Sequence, residues 1–472
     1  MTSPSSGLGP TPEPVADRVL VPAMFLVFAV AVANTTSGAI AQPAIADAFG
    51  AGAADVGAIV FGYSTTFAIM TAVYGSLARR FGLARCLTVG VVLVAVGAGI
   101  AVVSVNLPML IAARVLQGFG AGAIPTLTMA LISRRLQGQA RARALGINVA
   151  AVGVGFAGGP LVGGLLLEAF GWRGAMALGL FVAPAALIIP RLDREPGRSD
   201  ATIDVPGIAL LAISVGGLVL VINRLPVMGL GVPLLAIAAF SAAAGLVLVR
   251  RSRGRPGAAL PLQELRDGVL RRMMLLGYVG QTAFFGVLVL APIIAARIHD
   301  LDGFSLGLLL APMAILIAIV SPRNGRVSAR IGRRATTTLS LSVIGLACGF
   351  LAWQGPAAAL LVLATGLVIA GAGFGLLSAP LVGEVSRRFG DDRRSLALGM
   401  YNLAFFLGSA SGGAIATGFV QAGVDVGPFA GRPLAGASTG LLLLAAMPLL
   451  ILVFDRLRPS APVTTPLPAA AD

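Results

Sequence analysis

Gly75-Ser-Leu-Ala-Arg-Arg-Phe-Gly82 lies between two long apolar runs, and Gly325-Arg-Val-Ser-Ala-Arg-Ile-Gly332 lies between two others about 250 residues later. A second pair of motifs keeps nearly that spacing. Ala144-Leu-Gly leads to Gly158-Gly-Pro-Leu-Val-Gly-Gly164, and Ala397-Leu-Gly leads to Gly408-Ser-Ala-Ser-Gly-Gly413. Chance likeness between Gly- and Ala-rich segments does not produce two motifs at one offset, so the chain is built on an internal repeat.

The runs around these motifs are long enough to cross a bilayer as helices, which takes ~20 mostly apolar residues. Of the 472 residues, 57% are hydrophobic and 11% charged, too apolar for one water-facing globule. The spans read as 19–42, 55–77, 86–104, 107–133, 144–168 and 174–190, then 205–223 and 231–250. Six more follow at 269–296, 304–322, 335–353, 357–381, 396–420 and 435–455. The expectation is therefore an all-α integral membrane protein with 14 transmembrane helices. It divides into a tail (1–18), a six-helix bundle (19–190), a linker with an inserted helix hairpin (191–268), a second six-helix bundle (269–455) and a tail (456–472).

All 34 basic residues are arginine, against 19 acidic ones, for a net charge of +15. They form no continuous basic face, which argues against nucleic acid. Instead 29 of the 34 fall in loops on one side of these spans and only Arg173, Arg224, Arg297 and Arg432 on the other. Short cytoplasmic loops collect arginine, so both termini are expected in the cytoplasm. No cleavable signal peptide is visible, because the polar, Pro-rich start lacks a basic region and leads straight into a full-length span. Cys86 and Cys348 fall near opposite ends of different helices, unsuited to a disulfide or metal site. His299 is expected in a solvated loop. Clustered acids or a metal site, which a membrane enzyme would need, are missing.

The chain resembles the major facilitator superfamily, within it the fourteen-span drug:proton antiporter branch with its multidrug and tetracycline exporters. The pattern Gly-x-Leu-Ala-Asp-Arg-x-Gly-x-x-Arg is matched at Gly75, Leu77, Arg80, Gly82 and Arg85, with Arg79 where that family has aspartate. The second copy carries Gly325, Arg330 and Gly332, with Ala329 in place of the aspartate. Arg114-Val-Leu-Gln117-Gly118 resembles the family's Arg-x-x-Gln-Gly, and Gly155-Phe-Ala-Gly-Gly159-Pro160-Leu-Val-Gly163-Gly164 resembles the antiporter motif of its exporters. The resemblance implies two facing bundles, alternating access and export from a bacterial cytoplasmic membrane.

Residues in position to line a cavity are Asn34, Thr35, Arg114, Gln117, Asn148, Gln281, Phe284, Asn402 and Phe405. Arg114 stands apart, because a guanidinium inside the bilayer costs at least ~2.5 kcal/mol and usually faces a cavity or partner; its charge is expected to organise the cavity rather than the bundle. No carboxylate falls near a span centre. Asn34 stands where the family's first helix has aspartate, and Ser409 resembles a glutamate position of the tetracycline exporters. Glu168 and Glu384 lie at helix ends. The expected function is secondary active export of small amphipathic or hydrophobic molecules, coupled to protons with depleted coupling acids. A lipid or glycolipid flippase and a non-transporting sensor are the alternatives. The expected partners are a small-molecule substrate, membrane lipids and protons, the expected state is a monomer, and no cofactor or metal is expected.

Overall fold

Where water cannot satisfy backbone N–H and C=O groups, a chain with such apolar runs must close its hydrogen bonds within helices. The computed structural model describes residues 14–192, 203–253, 258, 262–301, 303–354, 359–389, 391–424 and 433–457. Most of the two expected tails, and Arg194, Arg198, Arg255, Arg432 and Arg458 of the charge argument, lie outside the described residues. The described elements are helical throughout, in α and short 3-10 segments.

The first half contains α1 (Pro14–Ile40), α2 (Gln42–Phe49), α3 (Ala53–Val56), α4 (Ala58–Phe81), α5 (Leu83–Val102), α6 (Leu107–Ala121) and α7 (Ala123–Arg135). It continues through α8 (Gly138–Ala177) and α9 (Ala185–Leu192). Then come α10 (Val205–Met228) and α11 (Val232–Ser252), which pack on each other. The second half contains α12 (Gly268–His299), α13 (Gly303–Val320), α14 (Asn324–Ile331), α15 (Arg333–Gln354), α16 (Leu360–Gly375), α17 (Ser378–Arg388), α18 (Asp391–Val424) and α19 (Pro433–Leu457).

Among the described residues 13 helical stretches are long and apolar enough to cross a membrane. The difference from the 14 expected lies at 158–192, counted as a single stretch of 35 residues. Its backbone is not a straight rod. Gly171 takes φ 65° and ψ −166°, and a Cβ on Gly174 would collide with the carbonyl oxygen of Leu166. Eight residues of straight helix would separate those positions by about 12 Å, so the chain doubles back at Gly171.

The repeat reappears as geometry. Gly82, between α4 and α5, has φ 92° and ψ 151°, and Gly332, between α14 and α15, has φ 84° and ψ 153°. One residue reverses the chain in each case, in a region that only glycine enters without strain. The long contacts repeat as well: α1 lies along α8 as α12 lies along α18, and α8 meets α13 as α18 meets α4. The first two pairs build each half, and the second two join the halves. Arg79 and Arg80 end α4, Arg134 and Arg135 end α7, Arg250 and Arg251 end α11, and Arg387 and Arg388 end α17. That face is the arginine-rich end of the molecule; its opposite carries Asp55, Glu168 and Arg224.

Candidate functional site

Arg114 on α6 is 0% exposed. Its Nε donates to the Ile59 carbonyl (3.1 Å), its Nη1 to Gln117 Oε1 (2.6 Å) and Asn34 Oδ1 (3.2 Å), and its Nη2 to the Asn34 carbonyl (3.3 Å). The Tyr63 ring centroid lies 4.4 Å from the guanidinium carbon, a cation–π contact. Gly38 makes room for the group, since a Cβ there would lie 2.8 Å from Nη2. Every one of these partners is neutral and belongs to α1, α4 or α6 in the first half. Arg114 thus ties three helices of one bundle together, whereas the expectation from sequence is that its charge organises the cavity rather than the bundle. The reason is local: Asn34 and Gln117 reach it first and meet its donors with amide oxygens.

The junction of the two halves is aromatic. Phe284 on α12 stacks on Phe374 of α16 with centroids 3.9 Å apart, and Phe156 on α8 meets both edge-on at 5.9 and 5.2 Å. Phe374 leads to Phe405 (6.3 Å), which contacts Tyr401 (5.8 Å) and Phe406 (5.4 Å) on α18. Phe406 meets Phe67 on α4 at 4.3 Å, and Phe67 stacks with Tyr63 at 5.9 Å. All these rings are buried, forming a seam that crosses from one half to the other and back. Beside it, Gln281 Nε2 donates to Ser409 Oγ (2.6 Å) and the Tyr278 hydroxyl meets Ser411 Oγ (2.9 Å). Gln281 Oε1 and the Tyr401 hydroxyl are buried without a hydrogen-bond partner. Such groups cost free energy unless something polar meets them. None of these residues is acidic.

The glycines of the 155–164 motif face two ways. A Cβ on Gly155 would lie 2.5 Å from the Ala29 carbonyl, one on Gly159 would strike the Thr36 hydroxyl, and one on Gly163 would lie 2.7 Å from Ser37 Oγ. Spaced four apart, these positions fit α8 against α1. The opposite face meets the other half: a Cβ on Gly307 of α13 would lie 2.5 Å from the Pro160 carbonyl and 3.3 Å from Gly164 Cα. On α18, a Cβ on Gly408 would lie 2.5 Å from the Tyr278 carbonyl oxygen, and one on Gly412 would strike the Thr282 carbonyl oxygen and lie 2.8 Å from the Gly286 nitrogen, both on α12. By role, Gly155 and Gly159 therefore correspond to Gly408 and Gly412, an offset of 253 that also relates Ala144 to Ala397. The loop motifs at Gly75 and Gly325 are offset by 250, so the helix motifs sit three residues further apart than the loop motifs do.

At the end away from the arginines, polar bonds join the halves. The Ala54 N–H donates to Gln421 Oε1 (3.3 Å) and the Phe304 N–H to Glu168 Oε2 (3.3 Å). There α10 also reaches both sides: Asn223 donates to the Ala414 carbonyl (3.2 Å) and Thr417 Oγ1 (3.0 Å), and Arg224 pairs with Asp55 at 2.5 Å. At the arginine-rich end, Arg388 pairs with Asp267 (2.9 Å), and Glu384 with Arg387 (2.6 Å) and Arg333 (3.6 Å). Asp267 caps α12 through the Val269 and Leu270 N–H groups. Partial burial pushes its carboxyl up, but the Leu270 N–H and the Arg388 guanidinium together hold it below its ordinary value.

Of the residues singled out from sequence, Asn34, Arg114 and Gln117 meet in one cluster, while Phe284 and Phe405 share the seam with Gln281 beside them. Thr35 donates to the Ala31 carbonyl one turn back. Asn148 donates to Thr128 Oγ1 (3.0 Å), away from both groups, and Asn402 is half-buried on α18. Arg79, Arg80 and Arg85 are exposed, as are Gly325 and Arg330. Sequence reading passed over Tyr63, Phe67, Phe156, Phe374, Tyr401 and Phe406. Phe156 and Phe374 each follow a glycine in a small-residue stretch, the one local sign that a ring has room beside it.

Residues 23–413 match the family model described as Major Facilitator Superfamily. The "Drug efflux pump JefA" of Mycobacterium tuberculosis is 29% identical over 390 residues, 79% of this chain and 74% of that protein. The "Tetracenomycin C resistance and export protein" of Streptomyces glaucescens is 30% identical over 340 residues, 70% of this chain and 61% of that one. Among solved structures, a POT family transporter in complex with a thioalcohol-conjugated peptide superposes with a TM-score of 0.69 at 14% identity, covering 93% of this chain and 96% of that one. The partially occluded inward-open xylose transporter XylE from E. coli gives 0.64 at 14% identity, covering 94% of this chain and 100% of that one. With two repeated halves that meet along α8/α13 and α18/α4 and a family match over most of its length, the chain belongs to the Major Facilitator Superfamily and is a multi-pass membrane transporter.

Proposed function

We propose that this protein is a secondary active exporter of small amphipathic or hydrophobic molecules, working by alternating access in a bacterial cytoplasmic membrane. The observation that carries the reading is the buried aromatic seam built from both halves, with the unpartnered Gln281 Oε1 and Tyr401 hydroxyl beside it and no carboxylate in it. Rings supply stacking surface for a flat apolar solute, and two isolated polar atoms orient it without demanding charge. The family membership and the relatives named for drug efflux and export support the direction.

The arginine-rich end faces the cytoplasm on the arginine bias, with both termini there. The reversal at Gly171 makes two crossings of residues 138–192, for fourteen in all, and α10 with α11 is a hairpin inserted between two six-helix bundles. The arrangement described is then closed on the outer side, where Gln421, Glu168 and Arg224 hold the halves together. Protons remain the co-substrate, weakly coupled because Asn34, Arg79, Ala329 and Ser409 replace the acids of the resemblance. Dye accumulation in cells with and without the protein, before and after an uncoupler, tests this. Lower accumulation that an uncoupler only partly reverses is expected, and identical accumulation in both cells would refute export.

A further inference from the structure

A pocket of about 190 Å³ opens at the arginine-poor end, between α2 and α3 of the first half and the last turns of α12 in the second. At about 30 Å³ per water it holds roughly six waters' worth of volume, too little for a drug-sized molecule, which needs ~300 Å³ or more. None of its lining residues belongs to the aromatic seam. Its walls include Val56 from one half and Ile293 from the other. Gln42 lines it, is only 2% exposed, and has neither Nε2 nor Oε1 hydrogen-bonded. A buried amide with both ends unsatisfied is costly unless a ligand or water supplies a donor and an acceptor together. Two exposed charges complete the lining: Asp47 on α2, from the first half, and Arg297 at the end of α12, from the second.

We propose that this pocket binds a small zwitterion of amino-acid size, its ammonium toward Asp47, its carboxylate toward Arg297 and its edge against the Gln42 amide. The opposite charges come from opposite halves, so an occupant bridges them and opposes their parting at this end. A species carrying only one charge satisfies only one half. The binding follows from the pocket alone, whereas its effect on transport rests on the export reading above.

The test is scintillation-proximity binding of radiolabelled β-alanine to the purified full-length protein, with propionate and propylamine as competitors. Saturable binding is expected, displaced by excess unlabelled β-alanine and at least tenfold less well by either singly charged competitor. Gln42→Leu should abolish it, and Arg297→Ala, at an exposed position that does not threaten folding, should weaken it at least tenfold. External β-alanine should also slow dye efflux by the wild type and not by Arg297→Ala. No saturable binding, or binding unchanged in Arg297→Ala, overturns the site and shows the pocket to hold water only; the export reading stands or falls separately on dye efflux without β-alanine. Binding without any effect on a working efflux would overturn the bridging role.

Discussion

Gly158 and Gly159 are neighbours on one helix, yet alanine should have opposite effects at the two. At Gly158 a Cβ would meet nothing within 4 Å, so Gly158→Ala gains the helix propensity difference of roughly 0.8–1 kcal/mol. At Gly159 the added carbon strikes the Thr36 hydroxyl and lies 2.7 Å from the Ala33 carbonyl oxygen. Thr36 can rotate; a backbone carbonyl cannot. Ordinary Cβ contacts begin near 3.4 Å, so α1 and α8 must part by about 0.7 Å (3.4 less 2.7) at this crossing. Overpacking of this kind costs about 1–3 kcal/mol. Both variants share the propensity gain, so their difference isolates the clash at about 1–3 kcal/mol. Thermal midpoints of the two purified variants against wild type give the comparison, with dye efflux alongside. Gly158→Ala should match or exceed wild type, and Gly159→Ala should melt lower and export less. Equal midpoints would refute the close packing of α1 on α8 at Gly159.

Arg114→Ala leaves Asn34 Oδ1 buried without a donor, while Gln117 Oε1 keeps the Asn34 amide (3.4 Å), so export should be lost together with stability, by about 1–3 kcal/mol for the stranded oxygen; a wild-type melting profile would contradict its place as the tie of α1, α4 and α6. Asn34→Asp places a carboxylate oxygen at the position now 3.2 Å from Arg114 Nη1, and flux in proteoliposomes under an imposed pH step should depend more steeply on the gradient than in wild type. Phe374→Ala removes the ring that links Phe156, Phe284 and Phe405; at about 0.5–1.5 kcal/mol per aromatic pair, the apparent KM for an aromatic dye should rise up to about tenfold, whereas Phe240→Ala on the lipid-facing side should leave it unchanged. Asp267 is held below its ordinary value, so its stabilising contribution is present above the unfolded carboxyl range and lost as pH falls through the lower folded value. Asp267→Asn should lower the melting midpoint at pH 7 and converge with wild type in acid.

The all-helical, many-span character of the chain follows from the membrane as solvent and was legible in its residues. Span lengths follow from hydrocarbon thickness, and turns such as Gly82 and Gly332 follow from a backbone only glycine tolerates, so both could be read from residue type and spacing. The motif register at Gly408 and the continuity of 158–192 could not, because small residues repeat so densely that several alignments look alike until a neighbouring helix selects one. The site was legible only in part. Asn34, Arg114 and Gln117 betrayed themselves as polar residues in apolar spans, but the partners of Arg114 depend on which helices reach it first. The aromatic seam was out of reach because phenylalanine suits lipid and protein interior equally: Phe374 is 4% exposed and Phe240 66%, and the glycine before Phe374 is too common a neighbour in a chain with 62 glycines to tell them apart. Only the docking of α16 against α12 and α13, with α8 of the other half beside them, turned one ring inward, and that choice belongs to the tertiary structure.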